Sequence, residues 1–240
     1  PITESQVNSL MVVLSILGLC LYLTHGISVA PHSKRQIVAE WIVEKVQNLV
    51  NSNMGAYFSA FAPFIAGIMF ISAFSSLSSL LGLFPPTSDM NIVAGWAILV
   101  FVLITYYKLK GGLLPYVKGF FEPVFIFAPF NIIGEVATPV SMSFRHYGNV
   151  LSGMVISTLV AYALQTLSHM LLGWLPGVLG QFPFLQVGLP AILSLYFDIF
   201  SGLMQAFIFA MLTMLYIATG FPQEEYERRK AKRKKALHTA

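Results

Sequence analysis

The sequence predicts an all-α integral membrane protein, a single membrane domain (1–240) of about five crossing helices and one interfacial amphipathic helix, with the last two crossings long and strongly tilted. Three observations carry this expectation. Of the 240 residues 56% are hydrophobic and only 10% charged, far from the mixture of a soluble domain. The apolar residues gather in runs long enough to cross a bilayer, which takes about 20 in succession. The 14 Lys and Arg residues avoid the interiors of those runs, with Arg145 the exception. A net charge of +4 could suggest nucleic acid, but half of the cations stand near the C-terminus, as Arg228, Arg229, Lys230, Lys232, Arg233, Lys234 and Lys235. Such a tail reads as a cytoplasmic anchor at anionic membrane lipid, so no nucleic-acid partner is expected. Cys20 is the only cysteine, which rules out an intrachain disulfide. No Cys or His spacing resembles a zinc or haem site, and neither metal nor cofactor is expected.

The N-terminal residues 1–6 carry Glu4 and no cation, and so lack the positive region of a cleavable signal. The first crossing is expected over 7–26. It leads to His32, Ser33, Lys34 and Arg35, which puts that end in the cytoplasm and the N-terminus outside. Over 36–50, Ile37, Trp41, Ile42, Val46 and Val50 recur at helical spacing against Glu40, Glu44, Lys45 and Gln47. That pattern is too polar to span and reads as an interfacial helix. A second crossing over 56–84 runs to the uncharged or acidic break Pro85, Pro86, Thr87, Ser88 and Asp89. A third over 92–107 returns to Lys108, Lys110, Gly111, Gly112 and Lys118, so that cationic ends lie inside.

Two longer segments, 123–171 and 187–220, precede the basic tail 221–240, which demands an even number of further crossings. One helix from Val124 to Leu171 would be about 70 Å long, against a hydrocarbon core of about 30 Å. Either two short spans turn near Pro139 or the Gly148–Asn149 pair, or one long helix crosses at a steep tilt. The second arrangement is preferred, entered irregularly through Pro123 and Pro129 and bent at Pro139. An outer loop holding Pro176, Gly177, Gly180 and Pro183 then leads to the returning helix. No inverted repeat of the transporter kind is visible.

Arg145 shares the stretch from Phe120 to Leu171 with only two other charges, Glu122 and Glu135. A cation at membrane depth costs on the order of 2.5–3.5 kcal/mol by insertion scales and marks a functional site by default. Its guanidinium stays charged while neighbours gain and lose protons. Ser141, Arg145, Asn149 and Ser152, spaced four, four and three apart, share one helical face. Asp198, Ser201, Gln205 and Tyr216 form a second stripe on the last helix. Simpler readings stand beside these. Arg145 could pair with Glu135, although ten residues is too far for neighbours on one helix. Asp198 could be paired within the chain, His146 could be a proton relay or a packing residue, and Tyr216 could belong to an interfacial aromatic belt.

The run Pro139, Val140, Ser141, Met142, Ser143, Phe144, Arg145, His146, Tyr147, Gly148, Asn149 resembles the P-x-S-x-x-[LF]-R-x-[FY]-G-N signature of subunit a of F-type ATP synthases. Gln205, Ala206, Phe207, Ile208 and Phe209 are similar to that family's second signature. The resemblance implies a non-catalytic, ion-translocating subunit of the bacterial plasma membrane. Its implied partners are a c-subunit ring and the b-subunit peripheral stalk, in a large hetero-oligomer. It implies two offset half-channels that pass protons or Na+ to and from ring carboxylates. Arg145 matches the essential arginine that enforces ion release and blocks leakage, and Gln205 and Asn149 match residues that would orient it by hydrogen bonds. Glu135 resembles the acidic residue of the inner path. On the outer path the family has a Glu nine residues after the arginine and a His seven before the Gln, where this chain has Met154 and Asp198. The titratable group is therefore expected to have moved to Asp198 on the facing helix. Ser141, Ser201, His146 and Tyr216 complete the expected polar lining. The alternative is a stand-alone ion-coupled secondary transporter or channel using the same charges. An intramembrane enzyme is disfavoured, since no H-E-x-x-H or G-x-S-x-G is present.

Overall fold

A computed structural model describes residues 3–28, 33–110, 112–121, 125–172, 188, 190, 192–193, 195–224 and 226–228. Seven α-helices are described: α1 (Glu4–Thr24), α2 (Lys34–Met54), α3 (Ala62–Leu77), α4 (Met90–Lys110), α5 (Leu113–Phe120), α6 (Ala128–Leu172) and α7 (Gly202–Gly220). Short 3-10 turns and one π-helical segment join them, and there are no strands among the described residues. The protein is an all-α membrane protein, and among the described residues five helical stretches are long and apolar enough to cross a bilayer: 4–24, 56–81, 90–110, 128–171 and 195–220.

The ends of these helices obey local chemistry. At α1 the Thr3 N–H donates to Gln6 Oε1 at 3.3 Å, and Glu4 meets the positive end of the helix dipole. Ser33 caps α2 by accepting the Arg35 N–H at 3.2 Å. Its far end turns at Gly55, whose φ of 83° suits a residue without Cβ. Asp89 Oδ1 accepts the Asn91 N–H at 2.9 Å where α4 begins. Although α1 faces outward for most of its length, it buries Ser5, Asn8 and Val12. Ser5 Oγ donates to Asp89 Oδ2 at 2.7 Å and Asn8 Nδ2 to the Phe84 carbonyl at 2.9 Å, so polar side chains dock α1 against the break before α4.

The core lies around α7, where Phe209, Ala210, Met214 and Ile217 meet Ile65 of α3 and Val100 of α4. In the most apolar part of 195–220, 39% is buried, against 6% in that of α6, which lies on the outside of the bundle. A Cβ on Gly202 would stand 2.6 Å from Ser76 Cβ, so glycine is what allows α3 and α7 to approach this closely. The helix predicted over 36–50 extends from 34 to 54. Its expected apolar stripe divides: Val50 is buried and Val46 packs on the core, whereas Ile37 and Trp41 remain exposed.

The long segment is one helix of 45 residues that carries Pro139 inside it, without the mid-helix turn of the two-span arrangement. At roughly 70 Å it cannot stand upright in a hydrocarbon core of about 30 Å. A 3-10 turn, Phe125–Phe127, precedes it, and Pro129 occupies its first turn, where a missing N–H costs nothing. The returning segment departs from the uniform helix that periodicity suggests. Leu195–Ser201 is π-helical, and α7 starts only at Gly202. Pro123, the loop positions Pro176, Gly177, Gly180 and Pro183, and the tail beyond Arg228 lie outside the described residues.

Candidate functional site

The motif segment of α6 has two faces. Met142, Ser143 and His146 turn inward and are buried. Ser141, Arg145 and Ser152 are exposed on the opposite side, and Asn149 sits partly buried between the two. The helical spacing of four, four and three thus brings the stripe onto an outer face. Among the described residues Arg145 makes neither an ion pair nor a hydrogen bond. The bonds expected from Asn149 and Gln205 to the guanidinium are not made within this chain. Asn149 Oδ1 instead accepts the Ser201 hydroxyl at 3.0 Å, which ties α6 to the end of the π-helical segment.

Gln205 is 3% exposed, facing the core, so the stripe expected on the last helix is not one continuous surface. A π-helical stretch has more residues per turn than an α-helix, and it rotates the side chains before Gly202 relative to those of α7. Asp198, in that segment, is partly buried and has interactions of its own. Its neighbour Phe197 presses on Gly153, where a Cβ would come within 3.1 Å, so the segment bearing Asp198 packs against the part of α6 next to Met154. His146 is fully buried, with Nε2 3.3 Å from Ser72 Oγ and its ring edge-on to Trp96 and Phe209. That is the surrounding of a packed, hydrogen-bonded residue.

Glu135 pairs not with Arg145 but with Lys108, whose Nζ lies 2.8 Å from both carboxylate oxygens. Neither sequence spacing nor helical periodicity points to this partner, 27 residues upstream in the last turn of α4. The Tyr116 hydroxyl reaches Glu135 Oε1 at 3.5 Å, the outer limit of a hydrogen bond. Burial, with the Glu135 carboxylate beside it, raises the Tyr116 phenol above its ordinary value, so it remains a proton donor. These groups line an open cavity of about 560 Å³ together with Asn131, Tyr216 and Gly220. Tyr216 therefore belongs to the wall of a cavity of mixed polar and apolar lining at the lysine-bearing end of the bundle.

A family model described as ATP synthase A chain matches residues 7–218. The chain belongs to that family. It is similar to ATP synthase subunit a of Bacillus pumilus (strain SAFR-032), 32% identical over 234 residues that cover 90% of this chain and 92% of the relative. The Bacillus subtilis (strain 168) subunit a is 32% identical over 232 residues, with the same coverage. A protein of Propionigenium modestum named ATP synthase subunit a, sodium ion specific, is 29% identical over 243 residues, covering 94% of this chain and 76% of that one. Membership makes the chain a membrane-embedded subunit of a multi-subunit ATP synthase.

Proposed function

We propose that this chain is the stator half of a rotary membrane motor, passing protons or Na+ between two offset half-channels and the carboxylates of a c-subunit ring. One observation carries the reading. Arg145, permanently charged and set within a long apolar helix, is exposed and has no counter-charge among the described residues. A guanidinium left against lipid would be costly, so this exposed face calls for a counter-charge, which a ring carboxylate supplies. A ring carboxylate arriving opposite it is held in its ionised form by the fixed positive charge and must release its ion before the ring advances. The same charge separates the two paths. The outer path runs by Asp198, Ser201 and Asn149, and the packing of the Asp198-bearing segment on α6, through Phe197 at Gly153 and Ser201 at Asn149, supports a titratable group that has moved between facing helices. The inner path is the cavity at Glu135 and Tyr216, with Lys108, Lys110 and Lys118 at that end supporting a cytoplasmic orientation. ATP chemistry belongs to other subunits, and a b-subunit stalk would hold this chain against rotation.

ATP-driven ion uptake by inside-out vesicles bearing the whole complex tests the reading. Arg145→Gln is expected to abolish uptake with the complex still assembled, and undiminished uptake would overturn the proposal. Asp198→Asn is expected to slow uptake by about 100-fold, in the range for loss of a positioned proton-transfer group. An unchanged rate would remove Asp198 from the outer path.

A further inference from the structure

Three helices meet around the Lys108–Glu135 pair. Lys108 comes from the last turn of α4, Glu135 from the early part of α6 and Gly220 from the end of α7. Both carboxylate oxygens are engaged by one ammonium, so a cation arriving at Glu135 meets a positive charge already seated there and must compete with it. The Lys108 stem reaches it by lying across Gly220. A Cβ at that position would stand 3.0 Å from the lysine Cε and 3.1 Å from its Cγ, close enough that the stem would have to yield. The pair is neither sealed nor free in solvent, with side chains 27% and 14% exposed, and the adjoining cavity of about 560 Å³ has room both for an incoming ion and for the withdrawn ammonium.

We propose that Lys108 is a positioning residue of the inner ion path: a tethered cation that occupies Glu135 between passages and that each proton or Na+ must displace, with Gly220 giving its stem the room to reach. The inference rests on the reading of Glu135 as the inner-path group. When a proton arrives it bonds to one carboxylate oxygen, and the ammonium, still charged, turns into the cavity. When the proton moves on, the carboxylate regains its charge and the lysine returns. For Na+ the step is an exchange of one cation for another, with no covalent bond made or broken. The tether keeps other monovalent cations from settling on the carboxylate, because a competitor already held beside it is present at high local concentration.

The test uses inside-out vesicles of the whole complex with valinomycin and equal KCl on both faces, so that no potential develops, and reads ATP-driven ion uptake at low and at high KCl. Lys108→Gln is expected to lower uptake about fivefold at high KCl relative to low KCl, the factor that an ion pair of this exposure supports. Lys108→Arg is expected to restore salt-independent uptake, and Gly220→Val to reproduce the salt sensitivity by pushing the stem aside. If Lys108→Gln leaves uptake unchanged, or lowers it equally at both salt levels as a merely structural pair would, the tethered-cation role is wrong. If Gly220→Val shows no salt sensitivity while Lys108→Gln does, the role of Gly220 falls. Glu135→Gln separates this inference from the reading beneath it. Uptake persisting in that variant at either salt level removes Glu135 from the path, whatever Lys108 does.

Discussion

Asp89 shows how much of the fold rests on single polar contacts inside an apolar chain. The Ser5 hydroxyl holds its carboxyl below the ordinary value, burial opposes this, and the Asn91 amide adds to the lowering. A carboxyl lowered in the folded state contributes stability that is fully present above its unfolded value and is lost as pH falls through the folded one. Docking of α1 is therefore expected to hold through neutral pH and to loosen only below about pH 4, read as hydrogen exchange of the α1 amides. Loosening near neutral pH would show that some other group secures the contact. At this same scale the sequence is informative in an uneven way. Arg145 is legible because a lone cation in an apolar stretch is costly and marks a functional site by default. The Lys108–Glu135 pair is not, since its partners come from different helices and no spacing links them. His146 stands beside the motif, yet its side chain turns to Ser72 and the core, which a position in a string does not reveal.

At the scale of elements, the approach of α3 to α7 depends on the absence of a single carbon. Gly202→Ala would place a Cβ 2.6 Å from Ser76 Cβ, an atom fixed to its backbone, so one helix would have to move. Overpacking of this kind costs about 1–3 kcal/mol. Thermal unfolding in detergent should show Gly202→Ala destabilised and Ser76→Gly partly restoring it, whereas a Gly202→Ala protein as stable as its parent would refute the close approach. Hydropathy and the placement of Lys and Arg make the crossing helices readable, and length alone indicates that α6 cannot stand upright. The π-helical segment Leu195–Ser201 is not readable, because a change from one hydrogen-bond register to another leaves no mark in composition. Its consequence is concrete. Periodicity aligns Asp198 and Ser201 with Gln205, but the change of register leaves Gln205 in the core and Ser201 on Asn149.

For the whole molecule, the arrangement is a bundle centred on α7 with α6 laid along its outside, so the motif face is left open where another body can move past it. Ser141 and Ser152 flank Arg145 on that face and are exposed, which makes them better reporters of a neighbour than the buried Gln205. Cys20 is the only native cysteine and is exposed, so it must first be replaced by Ser. The most direct test of the account is oxidative cross-linking, in native membranes, of Ser141→Cys or Ser152→Cys to cysteines introduced along the carboxylate-bearing helix of the c subunit. A cross-linked product with c is expected from both positions. No product from either position, in a complex that still contains the ring, would contradict the claim that Arg145 faces a rotor.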